Sequence, residues 1–351
     1  MNYETGNIYN LHYGIIHSNQ SHLINCSSLP FINTNKIPKK YTLIKNGDLI
    51  LADTSENRND SAKGIEIIND SNLDIISGLH TIHLREKQTC TINGFKAYYV
   101  ASKSFRKFAK KYCEGIKVFS IKSSLLRYAN FAYPQDKKEQ EMIVNFLRKI
   151  DYKNELLERK IETLKKYKEG LCDYLFKESI HDSIHLYDLV ANNPSQMLTK
   201  DIEQNVGIYP VYDATGKILK FINYYQQSSD TISIIKYGSG CGRTFISKGY
   251  HSILGTMTDL KPFDQADVLF IYAYTLSRHF ASIIKKYIEI GTTPNLYFSD
   301  YSKATISNKA IKNKKIISLI IRSIEKKELL LFNEFNKLKN IKKYLLNSLF
   351  I

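Results

Sequence analysis

The segment GSGCGR, residues 238–243, is the part of the sequence that most resembles a site for phosphate chemistry. Successive glycines let backbone N–H groups approach a phosphate, but a P-loop also needs a terminal GK[ST], and a dinucleotide site needs GxGxxG at the start of a helix. The segment has neither feature. The pattern therefore favours a plain glycine-rich turn.

Histidines and carboxylates also lie close together after residue 177. His181 and His185 are four residues apart beside Glu178 and Asp182, but without the HExxH pattern of a zinc-binding helix. The segments NNPS and TTPN do not match the Asn/Asp-Pro-Pro motif of amino-group methylation. We predict no catalytic residue, no metal site and no cofactor bound by this chain, and interpret it as a binding protein.

The charge of the chain indicates a polyanionic partner. Its 351 residues include 50 Lys and Arg against 34 Asp and Glu, a net charge of +16. Nucleic acid is the first candidate, since no lipid-binding helix or lipidation motif accompanies this charge. A general bias towards Ile, Asn and Lys is the alternative explanation. Residues 1–138 are clearly basic, with 19 basic and 11 acidic residues, whereas residues 177–312 have 14 and 12.

The sequence also bears on compartment and size. The opening residues MNYETGNIYN lack the features of a signal peptide, and the longest apolar runs are about half the length of a membrane span. A cytoplasmic protein without membrane contact is expected. The five cysteines are scattered without a CxxC pair, so reduced thiols are predicted.

At 43 % apolar residues, the chain can bury two cores of ordinary domain size.

An internal repeat is the clearest feature of the sequence. Shifting the chain by 174 residues places residues 139–176 on residues 313–350 without a gap, and 12 of the 38 aligned positions are identical. The two copies even close alike, with Leu175 and Phe176 in one and Leu349 and Phe350 in the other. A match of this length indicates a duplication.

Each copy has the apolar spacing of a coiled coil. Steps of four and three residues alternate over about five heptads, which is the 3.5-residue seam of helices that pack side by side. Among the polar seam residues, Asn154 aligns with Glu328 and Lys168 with Lys342; they either fix register or docking, or reach solvent from a wide seam. The residues predicted for the coiled coil and for partner docking are Ile143, Leu147, Ile150, Asn154, Leu157, Ile161, Leu164, Leu171, Ile317, Ile321, Ile324, Glu328, Leu331, Phe335, Leu338 and Leu345.

Similar segments precede the two copies of the repeat. Residues 98–115 and 272–291 are amphipathic helical patterns, and residues 46–55 and 229–240 each place an alternating strand before a turn of small residues. The predicted organisation is a first globule over residues 1–138, a long helix over 139–177, a second globule over 178–312 and a second long helix over 313–351.

These segments resemble the specificity (S) subunits of type I restriction-modification systems. The second globule is the more specific match, with YPVYDATGK, KYGSGCGR and TDLKP in the order of the family's Pro-Val-Tyr, Cys-Gly and Leu-Lys-Pro. GNIYNLHYGIIHS, IKNGDLILADTS and GLHTIHLR are similar to a more distant recognition domain. The first long helix is entered through Pro134 and Gln140 as in the family, whereas Asn308 and Lys314 stand at the aligned positions before the second.

The resemblance implies an α+β fold with two globular target recognition domains. Each domain would be followed by one long helix, and the two helices would pack as an antiparallel coiled coil with pseudo-twofold symmetry. Each domain would read one half of a bipartite site in double-stranded DNA. The family's complexes also contain two copies of a methylation subunit and motor-nuclease subunits. S-adenosylmethionine, ATP and Mg²⁺ are therefore expected on those partners, and the chain itself would not be an enzyme.

Polar donors on turns beside strands are the candidates for DNA contact. Arg can pair with guanine through two hydrogen bonds, while Lys, Ser, Thr and Tyr more often bind phosphate. The predicted DNA-binding residues are Thr54, Ser55, Arg58, Lys63 and His80 in the first globule, and Tyr212, Lys217, Lys236, Tyr237, Arg243 and Lys248 in the second.

Two other classes of function stay open at this point. A stand-alone DNA-modifying enzyme with an unrecognised site would methylate or cleave DNA as the purified chain. A coiled-coil scaffold without a DNA role would bind neither DNA nor a methylation subunit.

Overall fold

The computed structural model describes residues 6–18, 23–25, 29–32, 40–69, 72–177, 182–203, 205–288 and 294–350. Its strands are β1 (Tyr9–Leu11), β2 (Leu23–Asn25), β3 (Leu49–Ala52), β4 (Thr54–Ser55), β5 (Gly64–Ile68), β6 (Ile75–Ser77), β7 (Thr81–Leu84), β8 (Phe119–Ser120), β9 (Ser183–His185), β10 (Val190–Pro194), β11 (Tyr209–Tyr212), β12 (Ile218–Ile222), β13 (Thr231–Ile235), β14 (Thr244–Ser247), β15 (Ser252–Ile253), β16 (Met257–Pro262) and β17 (Thr305–Ser307). Its α-helices are α1 (Tyr13–Ser18), α2 (Phe95–Ala101), α3 (Lys103–Tyr112), α4 (Lys137–Leu175), α5 (Thr199–Ile202), α6 (Val268–Thr275), α7 (Arg278–Ile288), α8 (Phe298–Tyr301), α9 (Asn308–Lys312) and α10 (Lys314–Leu349). Helices and sheets are thus mixed, which confirms the expected α+β class.

The chain divides into two compact units. Unit 1 contains residues 1–158 and 333–351, and unit 2 contains residues 159–332. Each unit therefore includes one part of α4, one part of α10 and its own strands. The predicted organisation treats each long helix as one segment, whereas the compact units divide both long helices between them.

Unit 1 is built on a four-stranded sheet in the order β2-β5-β3-β7. β2 runs parallel to β5, and the other neighbours are antiparallel. Leu49 and Leu51 belong to one core cluster, and Ile50 and Ala52 belong to another. Successive side chains point to opposite faces of a strand, so both faces of this sheet are covered, which explains the uninterrupted apolar run LILA.

Unit 2 is built on an antiparallel four-stranded sheet in the order β10-β16-β13-β14. Every residue of β13 is buried. Ile232 and Ile234 face the largest apolar cluster of the unit, whereas Thr231 and Ser233 take part in a buried polar network. A three-stranded sheet, β12-β11-β15, and the pair β17-β9 complete the strands of the unit.

Each of the two predicted amphipathic patterns forms two helices and not one. In unit 1, Ser102 separates α2 from α3, and its hydroxyl accepts a hydrogen bond from the Phe105 N–H at 3.4 Å. In unit 2, Ser277 stands between α6 and α7, and its hydroxyl accepts one from the Phe280 N–H at 3.3 Å. A serine side chain that receives an N–H in this way starts a new helix.

The long helices complete the core of each unit. Unit 1 buries residues from the start of α4 beside residues at and just after the end of α10: Ile143, Val144, Leu147, Leu346 and Phe350. Unit 2 buries residues at and just after the end of α4 beside residues near the start of α10: Cys172, Phe176, Ile317 and Ile321. Because a start meets an end in each case, the two helix segments within each unit run in opposite directions.

The residues of the predicted seam are covered by packing within the chain. Every residue that we predicted for the coiled coil is buried or half-buried. The pattern shifts in the final turn of α10, where Leu346 is buried and Leu349 is exposed. These seam side chains are therefore covered, in full or in part, within the chain, and their role in partner docking stays a prediction.

Candidate nucleic-acid interface

The turn between β13 and β14 carries predicted DNA contacts of unit 2. Segment 238–243 is a turn, as expected: the Cys241 N–H donates to the Gly238 carbonyl and the Arg243 N–H to the Gly240 carbonyl, each at 3.0 Å. Gly242 has φ of +83°, and a Cβ there would lie 2.5 Å from Ile284 Cγ2 in α7. Glycine is therefore required for the conformation and the close packing of the turn.

Lys236 and Tyr237 lie where this turn meets two other segments. The Lys236 N–H donates to the Thr256 carbonyl at 2.8 Å, and the Leu296 N–H donates to the Lys236 carbonyl at 3.0 Å. Lys236 Nζ is 5.4 Å from the centre of the Tyr237 ring. A cleft of about 550 Å³ opens beside both side chains, with walls from residues 194–199 and 254–256. Burial lowers the pKa of Lys236, so its ammonium is incompletely hydrated and would gain from an anionic neighbour.

Arg243 lies at the far end of the same turn and is exposed. Its guanidinium packs on Gly240, where a Cβ would come within 2.4 Å of Nη2. A planar, exposed guanidinium on a tightly hydrogen-bonded turn suits a two-bond contact with a guanine edge or a phosphate. The structure therefore brings Lys236, Tyr237 and Arg243 together.

The other residues predicted in unit 2 lie elsewhere. Tyr212 is half-buried, and its ring centre is 6.0 Å from that of Phe245 and 5.9 Å from that of His251, so it is a packing residue. Lys217 is exposed at the end of the turn that follows β11. Lys248 follows β14 whereas Arg243 precedes it, which separates the two by a strand of about 13 Å.

In unit 1, the predicted residues gather around His17. Its Nε2 is 2.8 Å from the Thr54 carbonyl, and Lys63 Nζ donates to the His17 carbonyl at 3.0 Å. His80, whose φ is +55°, packs its ring against that of Tyr13 with the centres 5.4 Å apart. The structure thus places Thr54, Lys63 and His80 around one histidine and one tyrosine.

Ser55 and Arg58 do not belong to this group. Ser55 is only 6 % exposed, and its hydroxyl accepts a hydrogen bond from the Asn57 N–H at 3.1 Å. The Ser55 side chain therefore holds the local turn, and its burial argues against the predicted DNA contact. Arg58 is exposed, and its guanidinium donates to the carbonyl of Lys110 in α3 at 3.2 Å.

The exposed tyrosines are further candidates for nucleic-acid contact that the sequence does not reveal. Tyr209, Tyr225 and Tyr250 form a cluster in unit 2 with ring centres 4.8 to 5.9 Å apart, and Tyr225 and Tyr250 are exposed. Tyr combines a flat apolar ring with a hydroxyl that can bind sugar or phosphate. Pairing of β11 with β12 and β15 gathers residues that are far apart in sequence, so no local pattern reveals the cluster.

A serine, a histidine and an aspartate also meet in unit 2. Ser233 Oγ donates to Asp259 Oδ1 at 2.6 Å, and His251 Nε2 is 3.3 Å from Asp259 Oδ2. A nucleophilic serine needs the histidine as its base and access to substrate. Here the aspartate lies between the other two, and all three side chains are fully buried. The network pairs polar groups inside the sheet and lends no support to a DNA-modifying enzyme.

The described part of the chain contains no group of three or more His, Cys, Asp or Glu that could hold a metal ion. Glu178 and His181 of the sequence argument lie outside the described residues, as does Cys26. His185 Nδ1 is 3.0 Å from the Lys303 carbonyl, in the β17-β9 pair. Among the described helices, none combines the length and apolar character that crossing a membrane requires.

Comparison with known proteins identifies the fold. No protein-family model and no curated protein matches the sequence. The S subunit of a type I restriction-modification system from M. genitalium matches in structure with 18 % identity and a TM-score of 0.61, covering 100 % of this chain and 90 % of that one. A structure concerned with complex assembly and conformational transition of the type I R-M system matches with 12 % identity and a TM-score of 0.59, covering 96 % and 90 %. The chain therefore has the fold of a type I specificity subunit over its whole length.

Proposed function

We propose that this chain is the specificity subunit of a type I restriction-modification complex. It binds a bipartite site in double-stranded DNA and directs the methylation subunits of the complex to that site. The observation that carries the proposal is the likeness to an S subunit over the whole chain, joined to the 174-residue duplication. A duplicated protein presents one reading surface to each half of a two-part site.

Each unit supplies one reading surface in this proposal. Unit 2 reads DNA through the turn that carries Lys236, Tyr237 and Arg243, and unit 1 through Thr54, Lys63 and His80. The net charge of +16 adds the attraction to phosphate that holds a protein on DNA of any sequence. Because the chain reads without chemistry of its own, S-adenosylmethionine, ATP and Mg²⁺ belong to the methylation and motor-nuclease subunits of a cytoplasmic complex.

The methylation subunits dock on apolar residues that the chain leaves exposed. Met142 and Phe146 of α4 are 67 % and 51 % exposed, and the residues that the 174-residue shift aligns with them, Ile316 and Ile320 of α10, are 59 % and 36 % exposed. Residues four apart lie on one face of a helix, so each pair forms a small apolar patch at the start of its helix. One such patch in each unit suits two copies of one partner.

A map of methylated adenines tests the proposed function. Cells that express the chain with its methylation subunit should show one motif of two half-sequences around a fixed spacer, and deletion of the gene should remove that motif. An unchanged map after deletion would contradict the proposal. Methylation or cleavage by the purified chain alone would favour a DNA-modifying enzyme. A chain that neither binds DNA at low salt nor copurifies with a methylation subunit would be a scaffold.

Copurification tests the docking patches. Phe146→Ser combined with Ile320→Ser should release the methylation subunit while DNA binding by the chain is kept. Tyr152→Ser is the matched control, because Tyr152 is an exposed aromatic residue of α4 whose aligned residue, Lys326, is not apolar. If the double variant retained the methylation subunit, or if the control lost it equally, the methylation subunit would dock on a surface other than these patches.

A further inference from the structure

The 174-residue shift aligns two lysines, Lys168, which is buried in unit 2, and Lys342, which is largely buried in unit 1. The side chain of Lys168 is 9 % exposed and that of Lys342 is 13 % exposed. Lysine is rarely this buried unless a partner compensates for the lost hydration of its ammonium. The contacts of each lysine therefore identify what it holds.

In unit 2, Lys168 joins three elements. It belongs to α4, and its Nζ lies 2.6 Å from Glu325 Oε1 and 2.7 Å from Glu328 Oε2, both in α10. The same Nζ is 5.8 Å from the centre of the Tyr272 ring in α6. One ammonium thus contacts both long helices and a helix that packs on the central sheet of the unit.

In unit 1, Lys342 makes the corresponding contacts with the long helices exchanged. It belongs to α10, pairs with Asp151 of α4 and lies 5.7 Å from the centre of the Tyr98 ring in α2. The Tyr98 hydroxyl also donates to Asp151 Oδ2 at 2.9 Å. Asp151 aligns with Glu325 and Tyr98 with Tyr272 under the same 174-residue shift. The cluster of lysine, carboxylate and tyrosine therefore occurs twice.

We propose that Lys168 and Lys342 are positioning residues that hold each recognition globule in one orientation on its helix pair, and thereby set the DNA spacer that the chain accepts. The inference rests on the proposed function. Apolar side chains tolerate small sliding and rotation of helices, whereas a buried ammonium is stable only where its carboxylates are within reach. Base contacts rotate by about one-tenth of a turn for each base pair, so the orientation of a globule decides which spacer fits.

The test is the spacer selectivity of methylation. In cells that carry the whole complex, methylation is counted at sites with the native spacer and at sites with a spacer one base pair longer or shorter. Lys168→Met should lower the ratio of native to altered spacers by about tenfold, the scale on which misplacement by a fraction of an ångström is felt. The two half-sequences should stay the same. Lys166→Met is the matched control, because exposed Lys166 forms its ion pair with Glu162 of its own helix.

A second variant separates positioning from stability. Lys168→Met combined with Glu328→Gln removes one carboxylate that the first change leaves unpaired, so it should recover thermal stability while the spacer ratio stays low. A native ratio in either folded variant would overturn the inference, because stability alone would then account for Lys168. A wild-type map without a two-part motif would overturn the proposed function, and this inference with it.

Discussion

The lysine clusters of unit 1 and unit 2 share a geometry but differ in charge. Lys168 has two carboxylates within 2.7 Å, whereas Lys342 pairs with one, Asp151, among the residues that the structure describes. The residue that aligns with Glu328 is Asn154, which brings an amide in place of a second carboxylate. Duplication has therefore kept the positions of these side chains while the balance of charge has changed.

This difference changes the direction of the pKa shift. Burial lowers the pKa of each lysine, since an ammonium is poorly solvated inside a protein. In unit 2, Tyr272 and the two carboxylates outweigh burial, and the pKa of Lys168 is raised. In unit 1, Asp151 does not outweigh it, and the pKa of Lys342 is lowered. The charged form is thus favoured in one unit and costly in the other.

The largest expected effect comes from the aromatic residues that close the two copies of the repeat. Phe176 and Phe350 are both buried, one in each unit. Phe176→Ala should destabilise unit 2, and Phe350→Ala unit 1, each by about 3 to 5 kcal/mol, because a cavity remains where the ring was. Amide hydrogen exchange, mapped by peptide, measures both units at once. Tyr174→Ala, at an exposed residue of α4, is the control. Equal loss of protection in both units would mean that they do not unfold separately.

The next effect distinguishes the two lysines. Lys168→Met should cost about 3 kcal/mol, because it leaves two partly buried carboxylates without their cation. Lys342→Met should cost about 1 kcal/mol, because Asp151 keeps the hydrogen bond from Tyr98. Urea denaturation with exchange mapping gives both values. A larger loss for Lys342→Met would reverse our account of the charge balance.

The long helices and the glycine turn could be predicted from the sequence, since both depend on local patterns. The heptad spacing persists over many turns, and the helices Lys137–Leu175 and Lys314–Leu349 lie where that spacing occurs. The turn at residues 238–243 follows from glycines without the remaining residues of a phosphate site. The breaks at Ser102 and Ser277 are harder to predict, because one serine within an amphipathic pattern can also remain helical.

Most of the candidate interface depends on contacts between distant segments. Nothing near Ser55 in sequence indicates that the Asn57 N–H occupies its hydroxyl, and nothing near Tyr212 indicates that its ring packs on His251. Tyr13 is a further example, because it meets His80 only through the fold. A pattern of hydrogen-bond donors beside strands predicts which kinds of side chain are present. Whether such a side chain is accessible to DNA depends on the distant segments that pack against it.

A smaller effect is expected from substitutions in the two surfaces that we propose for DNA reading. Arg243→Ala should cost about 1 to 3 kcal/mol of specific binding and relax one position in one half-sequence, as expected for the loss of a two-bond base contact. His80→Ala should affect the other half-sequence, and Ser55→Ala neither. Competition binding with variant oligonucleotides measures all three. Unchanged affinity and an unchanged motif for Arg243→Ala would remove this residue from the interface.

The smallest effect concerns alkaline pH. The pKa of Lys168 is raised, so its contribution is fully present below about pH 10.4, the unfolded value, and is lost as pH rises through the higher folded value. Burial lowers the pKa of Lys342, so wild type should gain stability relative to Lys342→Met as pH rises through the lowered folded value towards the unfolded one. Each change should be smaller than the effect of the substitution itself. Urea midpoints of wild type and both variants, measured across the alkaline range, test this. If the difference between wild type and Lys168→Met changed with pH in the same direction as the difference between wild type and Lys342→Met, the opposite pKa shifts of the two lysines would be contradicted.

The place of Leu346 and Phe350 in the core of unit 1 has a consequence for synthesis on the ribosome. All the residues of unit 2 lie between 159 and 332, whereas the core of unit 1 also takes residues from the end of the chain. The rings of Phe95 and Tyr99 pack against Phe350. At about 5 to 20 residues per second, Phe350 is synthesised about 10 to 40 s after residue 158, so these two rings lack this contact during that time. Unit 1 contains the residues that are translated first, yet its core is therefore the last that can be completed.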